Sequence, residues 1–181
     1  MDKKEGQRNR AILETLYSCG LRVSELCNLK LSDLYFEEGF IKVEGKGSKQ
    51  RLVPISPRAI KEIKYWLTDR SLGKIKKGYE DYVFLARWGN NISRIMVFHM
   101  IKELAEKTGI TKNISPHTFR HSFATHLLEG GANLRAIQCM LGHESIATTE
   151  IYTHIDRNML RSEIIEHHPR NIKYRKERGI Y

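Results

Sequence analysis

Long hydrophobic runs are missing from this 181-residue sequence, and no apolar stretch stands near its start. The apolar segments stay well short of the roughly 20 residues that a membrane-spanning helix requires. Residues 1–10 are mostly polar or charged and contain no hydrophobic segment typical of a secretory signal. These absences predict a protein that does not span a membrane and that stays in the cytoplasm. Because no basic amphipathic helix dominates the sequence, we expect no membrane partner either.

Cysteine is also scarce, with three residues in the whole chain and no CxxC pair. Cys19, Cys27 and Cys139 each stand among apolar residues in a helical pattern. A free cysteine in such surroundings behaves as a small hydrophobic side chain. We therefore expect buried, reduced thiols and neither a disulfide nor a cysteine metal site.

Acidic residues are fewer than basic ones. The sequence has 21 Asp and Glu and 31 Lys and Arg, and its formal net charge is +10. Such an excess indicates a polyanionic partner, either nucleic acid or an anionic membrane surface. Charge alone leaves open an ordinary basic protein with no such partner. A chain of this length with 40% hydrophobic residues has enough apolar surface for one well-filled core.

The apolar periodicity predicts helices on both sides of one short β region. Helical spacing runs through residues 7–18, ends at Gly20, and resumes in a short helix that begins near Arg22. Alternating residues predict strands at 34–36, 40–44 and 51–55, with 45–50 as a flexible hairpin loop. Further helices are expected at 57–70, 93–108, 116–129, 133–141, 145–152 and 157–167. The predicted fold is mainly α with a small three-stranded antiparallel β-sheet, in the α+β class.

The end of the chain has a different composition. Residues 169–181 contain five Lys or Arg and one Glu. A charge run of this kind predicts a solvated basic tail that stays out of the core.

A candidate anion site begins at Ser115 and Pro116, a good N-cap followed by proline at the first helical position. His117 and Arg120 then lie three residues apart on one face of the helix start. The free N–H groups and dipole of a helix N-terminus attract anions, and a guanidinium can grip two phosphate oxygens. The segment predicts a phosphate site, although a capped helix with surface His and Arg fits the same residues.

The spacing of His117 and His121 also matches two metal ligands on one helix face. The residues between them lack the Glu of an HExxH motif, and no third ligand is evident. The adjacent guanidinium of Arg120 would repel a cation. We therefore predict no metal site and no cofactor.

A second candidate cluster follows the predicted helix 133–141. Gly142 is expected to end that helix, which places His143 in a tight turn, and Tyr152 lies about two turns into the next predicted helix. A half-buried tyrosine without chemistry fits the same position. Residues 133–152 also fit a helix-turn-helix that reads DNA without cutting it, with packing positions at Leu134, Ile137, Leu141 and Ile146.

Two further cations stand in the first third of the chain. Arg22 lies at the start of a predicted helix, where Glu25 three residues later could hold its guanidinium in place. Lys46 lies between two glycines in the predicted hairpin, but the GxxxxGK[ST] spacing of a nucleotide-binding loop is absent. A surface ion pair and a solvated lysine would explain these residues equally well.

Together these segments resemble the tyrosine recombinase (phage integrase) family, and within it the Xer recombinases. The similar segments are GLRVSEL at 20–26, GKGSKQRLVP at 45–54, SPHTFRHSFATHLLEGGANLRAIQCMLGH at 115–143, TTEIYTHI at 148–155 and HHPR at 167–170. The family's catalytic pattern is Arg, Lys, His-x-x-Arg, His or Trp, and Tyr. Its counterparts in this sequence are Arg22, Lys46, His117, Arg120, His143 and Tyr152.

The resemblance implies a metal-independent enzyme that cuts and rejoins double-stranded DNA through a 3′-phosphotyrosine at Tyr152. It further implies that Arg22, Arg120 and His143 bind the scissile phosphate, that His117 accepts the tyrosine proton, and that Lys46 protonates the leaving oxygen. Family members work as homo- or hetero-tetramers on DNA, so we expect tetramers on DNA and a monomer without it. The chemistry would serve DNA integration, recombination or chromosome dimer resolution, and a type IB topoisomerase is a related alternative.

The resemblance also bears on domain organisation. We expect residues 1–181 to form a single catalytic domain, with residues 156–181 as C-terminal helix and basic tail, and the family's N-terminal core-binding domain absent from this chain. In the family the C-terminal segment docks on a neighbouring protomer. The alternative for the apolar residues Met159, Leu160 and Ile164 is packing against their own domain.

Overall fold

A computed structural model describes residues 3–142 and 157–180, without the side chains of Lys3 and Lys4. The helices are α1 (Lys3–Cys19), α2 (Val23–Cys27), α3 (Pro57–Ser71), α4 (Arg94–Lys107), α5 (Pro116–Glu129), α6 (Leu134–Leu141), α7 (Arg157–His167) and α8 (Pro169–Arg178). The strands are β1 (Leu34–Tyr35), β2 (Phe40–Glu44) and β3 (Gln50–Pro54). The mainly α fold with a small three-stranded antiparallel sheet is therefore confirmed.

The sheet has the order β1-β2-β3, and both pairs are antiparallel. In the β2–β3 hairpin Phe40 lies opposite Pro54 and Glu44 lies opposite Gln50. In the loop of this hairpin Lys46–Ser48 form a short 3-10 turn with Gly47 at a left-handed φ of 72°, and the Gly45 N–H donates to the Lys49 carbonyl at 2.8 Å. That hydrogen bond closes the turn that carries Lys46.

Two clusters of buried apolar side chains form the core. The larger joins α1, α2, the sheet, α3 and α4, and the smaller joins α5, α6 and α7. They meet where Phe123 of α5 packs on Gly20, just after α1. A methyl group on Gly20 would lie 2.4 Å from the Phe123 ring, and the φ angle of 62° favours glycine. The close approach brings the end of α1 against α5.

Helix α7 packs against its own chain. Its residues Leu160 and Ile164 are buried in the smaller core cluster together with Phe123 and Leu127 of α5. The sequence left open docking on a neighbouring protomer or packing against the same domain. In the described structure the helix packs against its own domain.

Most side chains after residue 168 are exposed and lie outside the core, as predicted, but the segment is helical and one face contacts the domain. Residues 169–178 form helix α8, and His168 caps its N-terminus by accepting from the Arg170 N–H at 3.3 Å. Arg170 binds Glu14 of α1 through two nitrogens at 2.6 and 3.3 Å, and Asn171 is buried. A few contacts on one face hold the helix, while its other basic residues remain in solvent. Net charge along the segment could not reveal that face.

The three cysteines are buried and free, as the sequence predicts. Burial raises the pKa of Cys27 to about 11, so this thiol stays protonated at neutral pH. Among the described helices, we find none with the length and apolar content needed to cross a bilayer.

Candidate active site

Arg22 occupies the N-cap position of α2, where the backbone turns into the helix. Its own N–H donates to Glu25 Oε2 at 2.8 Å, and its Nη1 donates to Glu25 Oε1 at 3.1 Å. Glu25 therefore holds this guanidinium, as the spacing predicted. The Arg22 side chain remains 40% exposed, so it is accessible to a ligand.

Arg51 of β3 completes this arrangement, and the sequence reasoning missed it. Its Nη1 and Nη2 donate to the two carboxylate oxygens of Glu25 at 2.7 and 3.0 Å, and its Nε donates to the Met140 carbonyl at 2.8 Å. One signal was present in the sequence: Arg51 alternates in phase with the buried residues Val53 and Ile55. That alternation places its side chain on the inner face of the sheet.

Arg120 lies close to the same cluster, at the start of α5. Its Nη1 donates to the Gly20 carbonyl and its Nη2 to the Leu141 carbonyl, both at 2.7 Å. Burial, and then the positive charges of Arg22 and Arg51, lower the pKa of Arg120 to about 10 against the opposing effect of Glu25. The group still carries its charge at neutral pH, and a bound anion would relieve its repulsion from the other two.

The charges in this cluster do not balance. Burial opposes ionisation of Glu25, but its hydrogen bonds and charge interactions with Arg51 and Arg22 outweigh that effect and keep the Glu25 pKa below its ordinary value. One carboxylate thus faces three guanidinium groups, those of Arg22, Arg51 and Arg120, which sums to +2. An excess of this kind at a partly exposed position is suited to bind a phosphate.

Lys46 follows Gly45 in the turn of the β2–β3 hairpin, next to the cluster. A methyl group on the preceding Gly45 would be 3.5 Å from both Arg51 Nη1 and Glu25 Oε1, so the turn starts against the buried ion pair. The Lys46 side chain itself is exposed. The structure thereby attaches a solvent-accessible ammonium to the same framework that holds Arg22.

His117 lies in the first turn of α5, exposed to solvent and three residues before Arg120. The helix starts as predicted, with Pro116 at its first position and the Ser115 N–H donating to Thr118 Oγ1 at 3.0 Å. Phe123 of the same helix is buried on the opposite side, in the core. The helix thus presents its N-terminal end, with His117, to solvent beside the arginine cluster.

The remaining two candidates, His143 and Tyr152, lie outside the described residues, as does the predicted helix 145–152. The structure describes the chain up to Gly142, which ends α6 with a left-handed φ of 66° as predicted. The alternative of a helix-turn-helix at residues 133–152 requires Leu134, Ile137 and Leu141 to be buried. Ile137 and Leu141 are buried, but Leu134 is 54% exposed. Ile146 belongs to the residues that the structure does not describe.

Across residues 3–142 and 157–180 the structure contains no group of three or more His, Cys, Asp or Glu side chains arranged to hold a metal ion.

Comparison with known proteins decides the family. The Phage integrase family matches residues 1–159. The chain belongs to this family. Tyrosine recombinase XerD of Chlorobaculum tepidum is 50% identical over 163 residues, which are 90% of this chain and 54% of that protein.

Solved structures of a recombinase and of a transposon integrase are similar in fold to this chain. The XerA recombinase has a TM-score of 0.71 and 37% identity, over 91% of this chain and 58% of the other. The Tn1549 transposon integrase, in complex with circular intermediate DNA, has a TM-score of 0.66 and 29% identity, over 90% of this chain and 59% of the other. The chain thus spans about half the length of the curated relatives it matches.

Proposed function

We propose that residues 1–181 form the catalytic domain of a site-specific DNA recombinase that cuts and rejoins strands through a covalent bond to Tyr152. The observation that carries the proposal is the cluster of Arg22, Arg51 and Arg120 around Glu25, with its charge of +2 beside the N-terminus of α5. A phosphodiester carries the opposite charge and the oxygen atoms that guanidinium groups bind. Membership of the phage integrase family supports the same chemistry.

In the cleavage step the hydroxyl oxygen of Tyr152 attacks the scissile phosphorus, and the bond from phosphorus to the 5′ oxygen breaks. The products are a 3′-phosphotyrosine and a free 5′ hydroxyl. Because a tyrosine hydroxyl has a pKa near 10, it needs a base, and His117 accepts its proton in this proposal. Lys46 gives a proton to the departing 5′ oxygen.

The charge that develops on the phosphate needs stabilisation at the same moment. Arg22 and Arg120 are already fixed by Glu25 and by the Gly20 and Leu141 carbonyls, so they can bind the nonbridging oxygens with little reorganisation. His143 donates a further hydrogen bond to that phosphate. The phosphotyrosine keeps the bond energy for rejoining, so the cycle requires no nucleotide hydrolysis.

The partner in this proposal is double-stranded DNA in the cytoplasm, bound by further recombinase protomers in a tetramer, with a monomer in its absence. The formal charge of +10 is suited to a polyanion of this size. The related Tn1549 integrase was solved with circular intermediate DNA, which supports DNA as the ligand. Integration, recombination and chromosome dimer resolution all use this reaction.

Covalent trapping tests the proposal. The chain is incubated with a pool of duplexes whose sequence is randomised around a single nick, placed so that the short fragment released by cleavage diffuses away. We expect an SDS-resistant protein–DNA band from the parent that Tyr152→Phe lacks, although both proteins bind the pool. Binding by the parent without any covalent band would instead support a DNA-binding module without chemistry.

A further inference from the structure

We propose that Arg51 is a positioning residue of the site, which holds Arg22 and Arg120 in the geometry that receives a phosphate. The inference deepens the proposed function and rests on it for the identity of that phosphate. Arg51 itself is buried, with a side chain 6% exposed, and it acts through Glu25 and through the C-terminal end of α6.

The first link runs through Glu25. Arg51 donates to both carboxylate oxygens of Glu25. The Arg22 side chain donates through Nη1 to Oε1 alone, and Arg51 also binds that oxygen. Because Arg51 satisfies most of the carboxylate charge, Arg22 is oriented by Glu25 without being neutralised by it. Its guanidinium therefore remains accessible to solvent and to a ligand.

The second link runs through successive carbonyls of one helix end. Arg51 Nε donates to the Met140 carbonyl, and Arg120 Nη2 donates to the next carbonyl, that of Leu141. These carbonyls lie at the C-terminus of α6, where main-chain acceptors have no partner within the helix. Arg51 thus binds the carbonyl next to one of the two carbonyls that hold Arg120.

Gly142 shows how closely Arg51 is packed at this point. A methyl group on Gly142 would lie 3.1 Å from three atoms of the Arg51 side chain. The contact places Arg51 against the last described residue before His143. A shift of Arg51 would therefore disturb Arg22 on one side and the end of α6 on the other.

Loss of Arg51 has a predictable consequence for the two remaining guanidinium groups. Without Arg51, the carboxylate of Glu25 would interact with Arg22 alone through hydrogen bonds. The summed charge of the cluster would fall from +2 to +1, since one of three guanidinium groups is removed. Phosphate binding at the site would weaken, and the chemical step would slow. Overall DNA affinity would change little because it is the sum of many backbone contacts.

The test uses the 181-residue chain and inorganic phosphate as probe, with the Nε–H signals of Arg22 and Arg120 followed by NMR. Arg51→Lys keeps the summed charge at +2 but lacks the planar fork that binds both Glu25 oxygens and the Met140 carbonyl. We therefore expect it to weaken phosphate binding at least about 5-fold and to slow covalent adduct formation about 100-fold, as loss of transition-state hydrogen-bond geometry does. DNA affinity should change less than about 3-fold. Arg70→Lys is the matched control, because Arg70 is a buried arginine that binds the main-chain carbonyls of Tyr82 and Glu80. It should lower the melting temperature without these effects.

A double-mutant cycle separates positioning from a merely structural role. Arg51 acts through both Arg22 and Arg120 in this proposal, so Arg51→Lys should cost less than about 3-fold in phosphate affinity when either of these arginines is already alanine. A loss in both alanine backgrounds equal to that in the parent, or parent-like phosphate affinity in folded Arg51→Lys, would overturn the inference.

A second variant keeps the test decisive if Arg51→Lys does not fold. Glu25→Gln combined with Arg51→Gln removes both members of the buried pair and leaves the summed charge at +2, so it changes geometry and not charge. We expect this variant to fold and to remain defective in phosphate binding, and parent-like binding would overturn the inference. A parent chain that binds phosphate but cuts no DNA would contradict the proposed function alone, since the phosphate titrations still decide the role of Arg51.

Discussion

Two buried carboxylates, Glu25 and Glu14, each bind arginine, and the two clusters differ in their charge balance. Around Glu25 lie three guanidinium groups, and Arg22 among them is 40% exposed. Glu14 pairs with Arg170 and accepts from Ser18 Oγ at 3.0 Å, so its charge is matched by one arginine. Burial of charge is common to both clusters, whereas an unmatched positive charge open to solvent belongs to the first.

The second cluster is a structural contact that joins the C-terminal segment to α1. His168 is fully buried there, and its Nε2 donates to the Tyr17 carbonyl at 3.1 Å. Burial lowers the pKa of His168 to about 4, so the ring is neutral at neutral pH and adds no charge. The two clusters are related through α5, which carries Arg120 near its start and contacts Tyr17 through His126 near its end. In the proposed function the surplus of cations around Glu25 binds phosphate, whereas the balanced Glu14–Arg170 pair joins the C-terminal segment to α1.

The largest expected effect comes from removal of the Arg120 side chain. Arg120→Ala should slow covalent adduct formation about 1,000-fold, because a fixed donor to the developing phosphate charge is lost. Arg170→Ala, in the balanced cluster, should leave the rate per folded molecule within about 2-fold, since surface-type pairs contribute little to remote chemistry. Single-turnover rates on the trapped substrate measure both. Similar losses in the two variants would remove the distinction between the clusters.

The second effect is on stability. Glu25→Gln should lower the free energy of unfolding by about 3 kcal/mol, because it leaves the buried Arg51 without a counter-charge. Glu14→Gln should cost about 1 kcal/mol, since its partner Arg170 is partly exposed and can be hydrated. Urea unfolding of the three proteins measures the difference. A larger loss at Glu14 would contradict the ranking.

The third effect concerns Lys46. Lys46→Met should reduce cleavage about 100-fold, the usual range for loss of a general acid. The defect should disappear on a substrate whose 5′ bridging oxygen is replaced by sulfur, because a thiolate leaves without a proton. Arg120→Ala should not be rescued by that substrate. If sulfur fails to rescue Lys46→Met, the lysine does not protonate the leaving group.

The smallest effect is the pH dependence that His168 adds. Above its ordinary pKa of 6.5 the imidazole is neutral in both folded and unfolded chains, so stability gains nothing there. As pH falls from 6.5 towards about 4, the unfolded chain binds a proton that the folded chain excludes, and stability is lost. The loss should reach about 2 kcal/mol at pH 5, and His168→Gln should lack it. Unfolding curves at pH 7.5 and pH 5 for both proteins test this prediction, which an equal pH dependence would contradict.

Local sequence patterns predicted most of the fold. The start of α5 followed from Ser115 and Pro116, the end of α6 followed from Gly142, and the extent of β2 followed from its alternation. The ion pair of Arg22 with Glu25 was also predictable, because it depends on a spacing of three residues within one helix start. Each of these features is decided by neighbours in sequence.

The features that sequence reasoning missed depend on residues far apart in the chain. Arg51 contacts Glu25 across 26 positions and Met140 across 89, so neither contact has a local signal. Helix α8 is held by Arg170 on Glu14, which are 156 positions apart. The net charge of residues 169–181 does not distinguish Arg170, which binds Glu14, from the exposed lysines around it. For the same reason the excess charge of the site became visible only when the fold brought its three arginines together.

The role proposed for Tyr152 can be tested by mapping the residue that becomes joined to DNA. After trapping on the nicked duplex pool, nuclease and trypsin digestion leave a nucleotide on one peptide for mass spectrometry. We expect the nucleotide on the tryptic peptide 136–157, whose one tyrosine is Tyr152, and a 5′ hydroxyl on the released strand. A nucleotide on any other peptide, or a 5′ phosphate on the released strand, would contradict that role.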